Sequence, residues 1–363
     1  MRVLCVIVKS ALCVALVPLL AAGQKLDPDL IHKLERAVAD EMSADSIPAL
    51  AIAVATNGEL LWSAAYGFQD LENFTPAKPV TAFRLALISK PLTAVLALRL
   101  ASAGRLDLDA PIQSYVPAFP TQGGTVTPRL LLAHLSGVRH YRDYSEINAK
   151  RHFRRLADAL VLFQDDPLIA SPGTRFGYTT FGYTLLGAAI EAACGQPFGE
   201  CLREWVLSPA GMERTAVDDI YALVPNRARG YGRDRSGRVI NTDFVDTSNK
   251  IPGGGLLSTA EDLVRFALAV QSGKLLNEEM RTSMWTSQTL LDGTTTDYGL
   301  GWSIMQKSPI VVGHGGGQAG ATAMLLVDPG RNIVVAVLCN MEQARGLTPF
   351  AEQILQLLSI RAR

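Results

Sequence analysis

Arg84-Leu85-Ala86-Leu87-Ile88-Ser89-Lys90-Pro91-Leu92 is the stretch around which the chain is organised. Proline is tolerated in the first turn of a helix but not deep inside one, so Pro91 predicts a helix that begins close to Leu87. Leu92, Val95, Leu96, Leu98 and Leu100 make that helix apolar on most sides, and Gly104 offers a stop. Such a helix belongs inside a fold. Leu87 and Lys90 stand three residues apart and share one helical face, whereas Ser89 lies on another. Taken alone, the stretch reads as a core helix with a solvated lysine.

Strand signals flank it at both ends of the chain. Ala49–Thr56 and Glu59–Tyr66 are β-prone runs joined by Asn57-Gly58, a dipeptide that supplies the positive φ angles of a two-residue hairpin. Runs 321–327 and 332–338 are joined by Asp328-Pro-Gly-Arg331, another tight turn. Residues 27–42 carry apolar positions at helical spacing behind Asp27-Pro28. Ser258-Thr-Ala-Glu261 has the form of a capping box opening a helix toward Gly273, and Thr348-Pro349 reads as the cap and start of a last helix through Leu358. Between the ends, 129–135, 151–163, 183–193 and 198–207 are helical in pattern.

The expected fold is therefore α/β (α+β), an antiparallel sheet flanked by helices and built from both chain ends. Residues 24–106 and 251–363 form the sheet domain, residues 107–250 an inserted, mainly helical domain, and a cleft lies at the seam.

Composition narrows the function classes. The chain has 363 residues, 48% of them hydrophobic, with 34 basic and 34 acidic residues, enough for a large core but with no net field to attract nucleic acid. Residues 1–23 read as an export signal: Arg2 and Lys9, an apolar run from Ala11 to Leu20, then Ala21-Ala22-Gly23 before Gln24. That run is shorter than the ~20 residues of a spanning helix, so no membrane span is expected once the signal is removed. Cys194, Cys201 and Cys339 form no disulfide framework. Cys194 and Cys201 flank a turn and can pair in an oxidising compartment, but buried thiols are the expected state. No ligand spacing suggests a metal, and no cofactor site is recognisable.

Three stretches can meet at the seam. Lys90 is the first. Tyr178-Thr179-Thr180 is the second: a nearby ammonium can lower a phenol's pKa and suit it to act as a general base, although the sequence by itself favours packing. His314-Gly-Gly-Gly317, expected just before a strand, is the third; its glycines let a ligand approach backbone N–H donors. Gly253-Gly-Gly255 reads as close packing beneath the cleft, and His134-Leu-Ser-Gly137 as a helix C-cap.

In this order the motifs, with 131–141, 178–186, 253–259 and Tyr298-Gly-Leu-Gly-Trp302, make the chain resemble the serine β-lactamase-like and penicillin-binding family, nearest to its class C β-lactamases. The resemblance implies a β-lactamase/transpeptidase-like fold and acyl transfer on peptide, ester or β-lactam substrates. It gives Leu87 the nucleophile's place, Lys90 the activating lysine, Tyr178 the proton shuttle and Thr180 the contact to a substrate amide. His314 stands where the third motif usually has lysine, followed by Gly316. The oxyanion donors are the N–H groups of Leu87 and Gly317.

Leucine cannot attack a carbonyl, so the expectation is an exported, catalytically impaired homologue kept as a binding module for a peptide-like or acyl small molecule. The alternatives are an active hydrolase using Ser89 or a Lys90-activated water, and a structural, assembly-forming protein. The oligomeric state is left open.

Overall fold

The structure is a computed structural model and describes residues 27–121 and 123–360. The predicted export segment lies outside the described residues. Strands β1 (Ala49–Thr56), β2 (Glu59–Asp70) and β3 (Thr75–Pro76) come from the first part of the chain, and β4 (Ser303–Lys307), β5 (Ile310–Gln318), β6 (Ala321–Asp328) and β7 (Ile333–Cys339) from the last. They form one antiparallel sheet in the order β3-β2-β1-β7-β6-β5-β4. β1 and β7 pair from Leu50↔Cys339 to Ala55↔Val334, so the sheet is built from both chain ends, as expected.

Alternation along β1 shows how the sheet is covered. Leu50, Ile52 and Val54 face a core shared with Leu34 and Val38 of α1 (Pro28–Ala44) and with Ile354 and Leu358 of the last helix. Ala51, Ala53 and Ala55 face the second core, which holds α2 (Ser89–Ser102), α3 (Thr180–Cys194) and α4 (Ala260–Gln271). Burial on both faces explains why β1 is an almost unbroken apolar run. Asn57 (φ 54°) and Gly58 (φ 81°) close the predicted hairpin. The last helix is α5 (Leu347–Ser359).

The stretch at Leu87 folds as a 3₁₀ turn, Ala86–Ile88, running straight into α2. Every residue of α2 from Ser89 to Leu98 is buried, which makes it the central helix. Lys90 is therefore not the solvated lysine that the stretch alone suggests. The second core joins α2 to the sheet through Leu325 and Ala336 and to residues 107–250 through Leu131, Phe181 and Leu202.

Several local expectations are corrected. The helix expected over 151–163 shrinks to Leu156–Ala159 and a 3₁₀ turn at Leu160–Leu162, because the Phe153 N–H is taken by Ser248 Oγ at 2.8 Å. The helix over 198–207 changes pitch, α-helical to Leu202 and π-helical over Arg203–Leu207. Ser258 is not a cap but the end of a short strand, its hydroxyl 2.6 Å from Thr215 Oγ1; Thr259 caps α4 by accepting from the Asp262 N–H at 3.2 Å. α5 starts at Leu347 behind Gly346 with no side-chain cap, while the Thr348 hydroxyl turns to Met324 Sδ. The His134–Gly137 stretch does follow helix Pro128–Leu132 as its C-terminal cap, as expected, with His134 (φ 59°) in the left-handed conformation. Gly137 lets the Ala170 carbonyl approach, 2.1 Å from where a Cβ would stand. Cys194 and Cys201 are disulfide-bonded rather than free, since the left-handed Gly195 turns the chain back after α3 and brings their Cα atoms to 6.3 Å. Cys339 is a buried free thiol.

Candidate active site

Lys90 sits in the first turn of α2 and is fully buried. Its ammonium donates to the Gly253 carbonyl at 2.9 Å and to Thr180 Oγ1 at 3.2 Å, and lies 4.7 Å from the ring centroid of Tyr178 and 5.4 Å from that of Tyr183. Burial and the nearby charge of Lys250 hold its pKa well below that of an ordinary lysine. Gly253 can supply that carbonyl because it packs directly on α3: a Cβ there would stand 2.6 Å from Thr180 Cγ2. Gly253 and Gly255 are thus close-packed, as expected of the glycine run, and Gly253 in addition provides a carbonyl for the lysine.

Thr180 is placed by the start of α3. Thr179 is the N-cap, accepting from the Gly182 N–H at 3.0 Å and donating to the Arg139 carbonyl at 2.7 Å. The N–H groups of Thr179 and Thr180 are taken by imidazoles, His134 Nδ1 at 3.1 Å and His140 Nδ1 at 3.2 Å. An accepting Nδ1 requires a neutral ring protonated at Nε2, and burial favours that form, lowering His134 well below its ordinary value and His140 to about 4. His134 Nε2 has no protein partner and is buried; its ring lies 4.3 Å from that of Tyr178.

Tyr178 does not take the form expected of a general base. Lys90 meets the face of its ring, the Tyr178 hydroxyl is buried without a partner, and desolvation raises the phenol well above its usual range. The expected lowering by an ammonium fails for a physical reason. The hydrogen bonds of Lys90 go to Gly253 and Thr180, and the burial that raises the phenol also disfavours the charge on the amine.

His314-Gly-Gly-Gly317 does not precede a strand; it lies within β5, in register His314↔Leu325 to Gly317↔Thr322 with β6. On its other side β5 is paired with β4 only as far as Gly313↔Ser303, so residues 314–318 have one edge free of a strand. His314 is buried, accepts from the Tyr298 hydroxyl through Nε2 at 3.0 Å and donates from Nδ1 to the Gly315 carbonyl at 2.6 Å. Burial and Lys90 push its pKa down to about 3, so it is neutral. A Cβ at Gly316 would stand 2.6 Å from Leu87 N and 2.9 Å from the Leu85 carbonyl, so only glycine lets β5 approach the Leu87 turn. Gly317 is exposed, with nothing within 4 Å of its Cβ position. The turn is strained: Ala86, just before Leu87, has φ 46°.

Lys90, Tyr178, Thr180, His314 and Gly316 are thus brought around the Leu87 turn. Ser89 is not: its buried hydroxyl donates to the Ala86 carbonyl at 2.8 Å. Tyr298, His134 and His140 belong to the site but are not assigned to it by sequence reasoning. His134 and His140 sit in a quoted motif whose only signal is their order, and nothing in the sequence indicates that both rings fold back on the first turn of α3. Among the described residues no group of His, Cys, Asp and Glu is arranged to hold a metal.

A central helix presenting a buried lysine beside a glycine-rich strand edge, across from the start of a second helix, defines the β-lactamase/transpeptidase-like class of fold. The Beta-lactamase family model matches residues 34–356. The chain is 30% identical to the bovine protein named serine beta-lactamase-like protein LACTB, mitochondrial, over 90% of this chain and 77% of that one. It is 29% identical to penicillin-binding protein 4* of Bacillus subtilis, over 80% of this chain and 68% of that one. An octameric penicillin-binding protein homologue from Pyrococcus abyssi superposes with a TM-score of 0.77 at 26% identity, covering 90% of this chain and 77% of that one. D-amino acid amidase from Ochrobactrum anthropi shares the fold with a TM-score of 0.79 at 23% identity, covering 92% and 99%. This chain belongs to the Beta-lactamase family of penicillin-binding-protein-related serine hydrolases.

Proposed function

We propose that this chain is an exported family member whose acyl-transfer chemistry is lost or strongly reduced, and whose cleft is retained to bind a peptide-like or acyl compound. The observation that carries the reading is the Leu87 turn. Its N–H lies against Gly316, the helix that follows carries Lys90, and its own side chain is a hydrocarbon. The neighbouring hydroxyl, Ser89, is buried and bonded to backbone, which argues against its use as a substitute nucleophile. The residual contribution of backbone donors and binding without a nucleophile is on the order of 10³ to 10⁴ over water in a serine protease.

The test compares the natural protein with Leu87→Ser, using a fluorophosphonate probe and a chromogenic cephalosporin. The expected result is no covalent labelling of the natural protein and labelling at residue 87 of the variant. Labelling of the natural protein within the cleft overturns the reading, and turnover abolished by Ser89→Ala would establish the alternative nucleophile. Export is supported by the charge and apolar pattern of residues 1–23 and by the Cys194–Cys201 disulfide, which suits an oxidising compartment. N-terminal sequencing of exported protein should begin at Gln24.

A further inference from the structure

Lys250 is buried and directs its ammonium to the Ile147 carbonyl at 2.5 Å and toward the Tyr141 ring, 5.7 Å from its centroid. No carboxylate among the described residues lies within ion-pair distance of it, and Asp218, the acidic group nearest in influence, is engaged by Arg84 at 2.7 Å. An ammonium has three protons to donate and the Ile147 carbonyl takes one.

The surroundings of Lys250 coincide with those of the Leu87 turn. The Cβ position of Gly254 is 3.8 Å from Lys250 Cδ, 3.8 Å from Gln318 Oε1 at the end of β5, and 3.9 Å from the carbonyl of Ala86. The lysine stem, the strand edge and the residue before Leu87 therefore ring one spot. Gln318 Nε2 is buried without a protein partner, and Tyr141 Oη meets no acceptor at full hydrogen-bond distance, the Thr180 hydroxyl being its polar neighbour. Both can donate, and buried donors without acceptors are uncommon enough to require a reason. An anion placed between them would satisfy the ammonium and the amide together, with the Tyr141 phenol beside the lysine.

We propose that Lys250, with Gln318 and Tyr141, recognises an anionic group, a carboxylate, on the ligand of this cleft. The assignment rests on the reading of the cleft as an acyl-compound site and names the feature that selects among such compounds. It also gives the cleft a positive charge that neutral His314 does not supply. The charged and titratable groups that bear on Lys250 are Arg84, Asp218, Lys90 and His140. Burial and Arg84 bring the lysine down to about 8. Free protein therefore carries the charge below pH 8 and loses it above, so affinity for an anion should weaken as the pH rises through that value.

The experiment measures binding of hippurate and of hippurate methyl ester by ligand-observed NMR and calorimetry, on the full chain, for the natural protein and Lys250→Met. The expected result at pH 7 is at least tenfold tighter binding of hippurate than of its ester, weakening above pH 8, and equal binding of the two by Lys250→Met. Lys250→Arg should keep part of the preference, which a purely structural role in holding the Ile147 carbonyl would not predict. If Lys250→Met fails to fold, Gln318→Leu and Tyr141→Phe take its place and should reduce the preference severalfold. No preference in the natural protein, a preference that survives these changes, or no binding of either compound overturns the assignment. Fluorophosphonate labelling of Leu87→Ser reports separately on the cleft: if labelling persists while the preference is absent, only the role of Lys250 is refuted.

Discussion

Acid should destabilise this fold through its buried histidines, and His314 allows the effect to be worked out. Its folded pKa of about 3 lies below the unfolded value of about 6.5. Between these values the unfolded chain binds a proton that the folded chain refuses, so stability rises with pH and is lost as pH falls from 6.5 toward 3. The full difference corresponds to about 5 kcal/mol, and about 3 kcal/mol is lost by pH 4.5. That is a large part of the 5–15 kcal/mol that typically holds a domain together. His140, lowered to about 4, and His134, lowered well below its ordinary value by burial, act in the same direction. The structural cause is specific: protonating Nε2 of His314 would break its acceptance from Tyr298 and place a cation near Lys90. Urea unfolding followed by circular dichroism between pH 7 and pH 4.5, on the natural protein and His314→Gln, isolates the contribution. The variant starts less stable because the Tyr298 contact is altered, but its loss on acidification should be smaller by about 3 kcal/mol. Parallel losses in the two proteins would refute the reasoning.

Other consequences can be checked with single changes. Gly316→Ala should cost roughly 1–3 kcal/mol and lower Tm, because its Cβ would stand 2.6 Å from Leu87 N, whereas Gly317→Ala, with open space at that position, should leave Tm unchanged. Thr259→Ala should destabilise the protein by about 1 kcal/mol in urea unfolding through loss of the α4 cap. Reduction of Cys194–Cys201, which are 7 positions apart, should lower stability by roughly 2 kcal/mol, read as a fall in Tm on adding reductant.

The cleft has an unusual electrostatic character for a group of basic side chains. Lys90, His134, His140 and His314 are all shifted toward their neutral forms by burial. Their ordered contacts are carbonyls, hydroxyls and backbone N–H groups rather than carboxylates. Neutral donors and acceptors of this kind can pair with uncharged polar groups, and Lys250, itself lowered to about 8 by burial and Arg84, stands beside them.

Local chemistry carried much of the fold into the sequence. Asn57-Gly58 fixes the β1–β2 hairpin because few other dipeptides take two positive φ angles, Pro91 marks the first turn of α2, and the apolar runs at both ends define a buried sheet. The absence of a hydroxyl at residue 87 is likewise a fact of the sequence alone. Other features required the assembled protein. The cap of α4 fell one residue later than its pattern suggested because Ser258 is held in a strand, and the 151–163 helix was shortened by a bond to Ser248, 95 residues away from Phe153. The direction of the Tyr178 shift, the neutrality of His314 and the approach of Lys250 to Gln318 and Ala86 depend on burial and on neighbours distant in sequence. Desolvation is a property of the packed environment, and no local pattern of residues encodes its sign.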